Sequence, residues 1–149
     1  MQSFKVNPIG IARTPFAKPR DVENPRYTKG SIEINPDYVK GLKDIDGFSH
    51  LYVLWVFHKS SKDYELQFCP MREGIPPPRG LFATRSPHRI NPIGLTIVRL
   101  LKREGNILYV KGVDMIDGSP VLDIKPYTRR DRKSHVSNGW IDEVRRKPR

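Results

Sequence analysis

Hydrophobic and polar residues fall into short runs along this chain rather than long amphipathic stretches. Phe4 to Ala12, Ser31 to Ile34, Leu51 to His58, Leu81 to Thr84, Leu95 to Leu101 and Ile107 to Val113 are rich in β-branched, aromatic or aliphatic side chains. Each run is fenced by Gly, Pro, Asn or Asp, the pattern of a strand. Turn clusters lie between them, at Asn7-Pro8, Asn91-Pro92-Ile93-Gly94, Glu104-Gly105-Asn106 and Asp117-Gly118-Ser119-Pro120. Glu104-Gly105-Asn106 joins two strand-like runs and predicts a hairpin. Helix signals are few. Asn35 can cap a short helix over Pro36 to Lys40, with Pro in the first helical position and Gly41 to end it. Trp140 to Arg145 suits a second short helix or, equally by its charge pattern, a solvated tail. Fourteen prolines exclude long helices. They leave a long loop from about Ser60 to Arg79, in which Ile75-Pro76-Pro77-Pro78-Arg79 reads as a stiff polyproline II connector. The expected fold is a mostly β single domain with one or two short helices and long loops.

Length and composition sharpen this picture. A chain of 149 residues is about one domain, large enough to bury a core without disulfide or metal staples. No internal repeat or dividing linker is evident. The net charge of +11 points to a polyanionic partner, because clustered cations gain affinity for phosphates by releasing counterions. Nine basic and three acidic side chains lie in residues 125–149, so the end of the chain reads as a basic tail. The longest apolar stretch, Leu51 to Phe57, is far short of a membrane span. The N-terminal residues lack the pattern of a secretory signal, which makes the cytoplasm the expected location.

Several chemistries drop out on residue type and spacing. Cys69 is the single cysteine, which excludes an internal disulfide and any multi-cysteine metal centre. It sits beside Pro70 in a polar loop with no evident partner base. His50, His58, His88 and His135 are too scattered to define a metal site, so no metal is expected. Neither a glycine-rich dinucleotide turn nor a P-loop is present, and any nucleotide-like cofactor must be held by a non-Rossmann architecture. Two polar segments remain. The first, Arg79 to Leu95, leaves a short strand, crosses a Ser-Pro turn bearing Arg85, His88 and Arg89, and re-enters a strand. Arginine on such a loop can fork onto a carboxylate or phosphate, or the loop can be merely a basic surface turn. The second, Asp114 to Tyr127, sets Asp114, Asp117 and Asp123 among aliphatics around an Asp-Gly turn. Those carboxylates can accept hydrogen bonds from a ligand, assist proton removal, or simply form a turn.

With these segments in view the chain resembles a known family. Gly80-Leu81-Phe82-Ala83-Thr84-Arg85-Ser86-Pro87-His88-Arg89 followed by Asn91-Pro92-Ile93-Gly94-Leu95, and then Asp114, Asp117-Gly118, Pro120 and Asp123-Ile124-Lys125-Pro126-Tyr127, are similar to the TsaA-like (TrmO) family of tRNA methyltransferases. Pro8-Ile9-Gly10, Arg13-Thr14-Pro15-Phe16 and the run Gly47 to His58 match the same family in the same order. Ile90 departs from it, standing where the family commonly has Pro.

The resemblance implies a small β-barrel methyltransferase over residues 1–127, followed by the basic tail 128–149. It implies a homodimer using S-adenosylmethionine. The implied substrate is the threonylcarbamoyl-modified adenosine beside the tRNA anticodon, methylated on its exocyclic nitrogen. By the same likeness the cofactor contacts are Pro19, Arg20, Asp21, Phe57, His58, Arg85, Leu95, Asp114, Met115, Ile116 and Asp117. Asp114 or Asp117 would orient the amine or the cofactor, Arg85 would grip the cofactor or threonyl carboxylate, and Phe57 would pack on the cofactor's adenine. Arg13, Arg89, Asn91, Lys125 and Tyr127 are the candidate substrate contacts. The alternatives are a non-catalytic module that binds S-adenosylmethionine or RNA, and a plain structural partner protein.

Overall fold

A computed structural model describes residues 1–70 and 77–146. Its strands are β1 (Gly10–Arg13), β2 (Lys29–Ile34), β3 (His50–Val56), β4 (Gln67–Phe68), β5 (Arg79–Gly80), β6 (Ile93–Glu104), β7 (Ile107–Lys111) and β8 (Pro120–Pro126). Six of these pair antiparallel in the order β1-β2-β7-β6-β3-β8, and β8 returns to β1 through Gly10↔Val121 and Ile11↔Pro120, so the sheet closes on itself as a barrel. Closure removes the unpaired edges that an open sheet would present.

Side chains alternate across this wall as the pleat requires. In β3, Leu51, Val53 and Trp55 point inward, and in β6 Gly94, Thr96 and Val98 do the same. Ile32, Leu108, Val110, Val113, Met115 and Val121 complete a core with no solvent exposure. Gly94 is required by that packing: a Cβ there would meet the indole of Trp55 at 2.3–2.7 Å.

The expected hairpin at Glu104-Gly105-Asn106 joins β6 to β7, with Gly105 at φ +61°. The second expected helix forms as α1 (Trp140–Arg146). Four expectations need correction. The strand expected over Phe4 to Ala12 begins only at Gly10, and Phe4 lies 87% exposed, because the ladder partners of β1 run no further. Leu81 to Thr84 is not a strand. The Leu81 carbonyl accepts both the Thr84 amide (3.1 Å) and the Thr84 hydroxyl (2.8 Å), which winds Leu81–Ala83 into a single 3-10 turn. The short helix after Asn35 is also 3-10, spans Pro36–Leu42 and runs through Gly41, although the Asn35 side chain does accept from the Asp37 amide (3.0 Å). Finally, the carboxylate-rich segment contains β8, the strand that closes the barrel. The expected polyproline connector falls partly on residues 71–76 and lies outside the described residues.

Beyond β8 the chain crosses a 3-10 turn, Arg129–Asp131, capped by Thr128, and α1 then docks on the loop after β5. Trp140 Nε1 donates to the Ala83 carbonyl (2.9 Å), the Arg79 guanidinium lies 5.3 Å over the Trp140 ring, and Arg79 also pairs with Glu143 (3.5 Å). No helix among the described residues is long and apolar enough to cross a membrane.

Because the Gly94 contact is with a buried ring inside a closed wall, Gly94→Ala should destabilise the protein by about 1–3 kcal/mol, the usual cost of overpacking. Urea unfolding monitored by Trp fluorescence measures it, and an unchanged midpoint would mean that the ring has room to retreat.

Candidate functional site

One end of the barrel gathers side chains from four chain segments. β3 delivers Trp55 and, just beyond it, Phe57, whose rings lie 4.3 Å apart and tilted at 57°. β6 delivers Leu95 outward and Thr96 inward. The loop after β5 brings Arg85, and the irregular segment between β7 and β8 brings Asp114.

A hydrogen-bond relay links three of these. Trp55 Nε1 donates to Thr96 Oγ1 at 2.9 Å, and since an indole N–H can only donate, the Thr96 proton is free to go elsewhere. It goes to Asp114 Oδ1, at 2.5 Å. Trp55 and Thr96 are buried, 3% and 7% exposed, so the relay is anchored in the core and orients a carboxylate at the surface. The other oxygen of Asp114 has no protein partner among the described residues.

The segment holding Asp114 is itself clamped. Val113 and Met115 point into the core on either side of it. The Thr14 hydroxyl donates to the Met115 carbonyl (2.9 Å), and the Asp117 carboxylate accepts the Thr14 amide (3.1 Å). The loop holding Arg85 is tied just as closely. Arg89 Nη1 donates to the carbonyls of Thr84 (3.0 Å) and Ser86 (3.2 Å), and Ser60 Oγ donates to the Pro87 carbonyl (3.0 Å). Arg85 makes no ion pair among the described residues. A fixed loop thus presents an uncommitted guanidinium.

Three adjoining concavities share Arg85 and Asp114 as lining residues. One, of about 470 Å³, is walled by Pro19, Val22, Trp55, Phe57 and Ile116 and is largely apolar. A second, of about 300 Å³, lies against Thr84, Ser86, Gly94 and Leu95. The third, of about 610 Å³, brings four cations, Arg26, Arg85, Arg99 and Lys111, together with His50 and the phenols Tyr27 and Tyr52 beside an apolar wall of Leu95 and Ile97. Desolvation, then the nearby Asp131 and Tyr127, push the Tyr52 phenol above its ordinary value, so it faces this space as an uncharged group.

Of the cofactor contacts expected from sequence, Pro19, Phe57, Arg85, Leu95, Asp114 and Ile116 come together around these concavities. The rest do not line them. Arg20 and Asp21 sit on the exposed 3-10 turn Pro19–Asp21, where Asp21 caps the Lys18 amide (2.8 Å). His58 is exposed, with Nδ1 3.4 Å from Ser119 Oγ. The Met115 side chain is core, and Asp117 is committed to Thr14 with Arg13 at 4.0 Å. Among the expected substrate contacts, Arg13 pairs with Glu33 (3.3 Å), Arg89 braces its loop, Lys125 pairs with Asp123 (2.8 Å), and Asn91 is exposed beside Pro92. Tyr127 packs on Tyr52, with ring centroids 5.4 Å apart. Sequence reasoning missed Trp55, Thr96, Arg26, Tyr52, Arg99 and Lys111. Thr96 left one signal: a polar residue at an inward position of an otherwise apolar strand face.

A family model described as the tRNA-methyltransferase O N-terminal domain matches residues 11–131. A probable S-adenosyl-L-methionine-binding protein of Pyrococcus abyssi is 42% identical over 141 residues, covering 91% of this chain and 75% of its own length. The tRNA (adenine(37)-N6)-methyltransferase of Mus musculus is 40% identical over 139 residues, 80% of this chain but only 30% of that protein. The crystal structure of TrmO from Pseudomonas aeruginosa superimposes with a TM-score of 0.76 at 33% identity, over 93% of this chain and 62% of that one. The chain therefore spans less than two thirds of some of its relatives. Its match over most of its length, in sequence and in fold alike, makes it a member of the tRNA-methyltransferase O (TrmO) family.

Proposed function

We propose that this protein is an S-adenosylmethionine-dependent tRNA methyltransferase acting on the N6 of adenine 37, the activity named for its mouse relative. The observation that carries the reading is the meeting of an apolar concavity and a cationic one at Arg85 and Asp114, with Asp114 oriented from the core. The apolar side fits the cofactor by its chemistry: a ring face at Phe57, aliphatic wall at Pro19, Val22 and Ile116, and an unpaired guanidinium at Arg85 for a carboxylate. When bound, S-adenosylmethionine supplies an electrophilic methyl group on a sulfonium.

The chain's own residues then have defined tasks. Phe57 and Trp55 exclude water from the apolar side. Arg85 fixes a carboxylate, which sets the position of whatever carries it. The lone pair of an adenine exocyclic nitrogen is delocalised into the ring, so a proton acceptor beside it assists its attack. Asp114 fills that role with the oxygen that Thr96 does not occupy. The acceptor we favour is the threonylcarbamoyl-modified adenosine, its carboxylate facing the cationic concavity. The location we propose with it is the cytoplasm, where such a substrate is found.

We further assign a homodimer to the apolar end of the outer β3/β6 face. There Val56 lies opposite Ile93 and Leu54 opposite Leu95. Ile93 and Leu95 are 43% and 61% exposed in the single chain and also line the concavity of about 300 Å³, so a second copy covering this patch would border the site.

Three outcomes are expected. Arg85→Ala should weaken S-adenosylmethionine binding about tenfold or more, the worth of a charge-assisted contact. Calorimetry reads this, and unchanged affinity would remove Arg85 from the cofactor site. Asp114→Asn should lower methyl transfer to tRNA by about 10²-fold or more with cofactor affinity nearly intact. The assay uses tRNA with and without the threonylcarbamoyl group; cofactor binding by the wild-type protein with transfer to neither would favour a non-catalytic module. Ile93→Arg should convert the dimer to monomer in analytical ultracentrifugation, and a wild-type sedimentation profile would place the interface elsewhere.

A further inference from the structure

The cationic concavity holds more charge than the proposed reaction uses. Arg26, Arg99 and Lys111 line it together with Arg85, and Asp114 is its one carboxylate. None of the four cations pairs with a carboxylate among the described residues, although Arg13, Arg79, Lys102, Arg103 and Lys125 all do. Unpaired cations crowded into one hollow repel one another and are stabilised by an anion between them. They also flank an exposed ring. The Arg26 guanidinium lies 5.9 Å and the Lys111 ammonium 5.5 Å from the ring centroid of Tyr27, which is 65% exposed. Arg26 and Tyr27 come from the 3-10 turn Pro25–Tyr27, Arg99 from β6 and Lys111 from β7, so three separate pieces of chain converge on the same space. Arg99 pairs across the sheet with both His50 and Lys111, which fixes its place on the wall.

We infer that Arg26, Arg99 and Lys111 form a phosphodiester-binding subsite for a single-stranded RNA segment, with Tyr27 as the face on which one of its bases stacks. Aromatic faces flanked by cations are the usual means of gripping unpaired nucleotides. Three cations spread over a hollow of about 610 Å³ exceed what one carboxylate can engage. That excess separates phosphate groups from the threonyl carboxylate as the ligand. The inference rests on the RNA substrate proposed above and adds the residues that hold the strand on either side of the reacting nucleotide.

The test is a filter-binding titration over a range of salt concentrations, using unmodified tRNA, threonylcarbamoyl-modified tRNA and a 17-nucleotide anticodon stem-loop. The proteins are wild type, the triple variant Arg26→Ala, Arg99→Ala, Lys111→Ala, and the pair Tyr27→Ala and Tyr27→Phe. The triple variant should bind all three RNAs at least about tenfold more weakly, and its log–log salt slope should be shallower by about 2, near 0.7 for each lost contact to a single strand. Its S-adenosylmethionine affinity and unfolding midpoint should match wild type. Tyr27→Phe should retain affinity and Tyr27→Ala lose it about tenfold, as stacking requires. Affinity within twofold of wild type in the triple variant would overturn the subsite. A loss confined to threonylcarbamoyl-modified tRNA would overturn it too, by assigning the cations to the carboxylate. If wild-type protein binds these RNAs through the three cations but methylates none of them, the subsite stands and the proposed reaction falls.

Discussion

The return of β8 to β1 constrains everything else, because it turns a meandering antiparallel sheet into a closed wall with a narrow interior. Every inward position of β3 and β6 then competes for the same volume. Trp55 takes most of it, and the only residue that can stand directly across from that indole is Gly94. A buried indole N–H also needs an acceptor in a place where water cannot supply one. Thr96 meets that need, and its own hydroxyl proton must then find an acceptor in turn, which is Asp114. Orientation of the surface carboxylate is thus a consequence of satisfying a core tryptophan. Among the described residues, no buried side-chain polar atom is left without a partner.

The same wall divides the chemistry of its outer surface. Antiparallel pairing of β3 with β6 sets Val56 against Ile93 at one end and His50 against Arg99 at the other. One end is therefore apolar and the other cationic, and the irregular segments carrying Arg85 and Asp114 meet the wall between them. The apolar hollow behind Phe57 suits the nucleoside and sulfonium of a methyl donor, while the hollow in front of Tyr52 suits phosphates. The two hollows adjoin at Arg85 and Asp114, so a methyl donor and an RNA acceptor can approach one carboxylate from two sides.

How much of this could be read from sequence depends on the kind of signal each residue leaves. β3, β6 and β7 were legible because period-two alternation is strong in strands that bury one face. Leu81 to Thr84 misled because its composition is strand-like while Thr84 turns the chain with a side-chain hydrogen bond that composition does not encode. β8 was hidden by its polar outward residues, Asp123 and Lys125, which pair with each other rather than with a ligand. Arg85 and Asp114 stand out in the two polar segments, their cofactor roles come from motif resemblance, and the two residues do meet. Asp117 belongs to the same motif yet serves Thr14, since a motif preserves structural and chemical residues alike. Arg26, Arg99 and Lys111 come from three distant segments, and no local pattern could have joined them.

Charge placement changes meaning once the fold is known. The basic stretch after β8 looks from sequence like a free tail, but it is fastened at Tyr127 and again at Trp140. At its start the Tyr127 amide donates to the His50 carbonyl (3.0 Å) and the ring packs on Tyr52. Further on, Trp140 docks on Arg79 of β5 and on Ala83, in the loop that carries Arg85. Between these anchors, Asp131 lies near enough to Tyr52 to act on its phenol. Arg129, Arg130, Arg132 and Lys133 lie on the stretch between these anchors, so they are held by the fold and do not hang on an open chain. Tethered cations lose less conformational freedom on binding a polyanion than cations on an open chain, so the same charge brings more affinity.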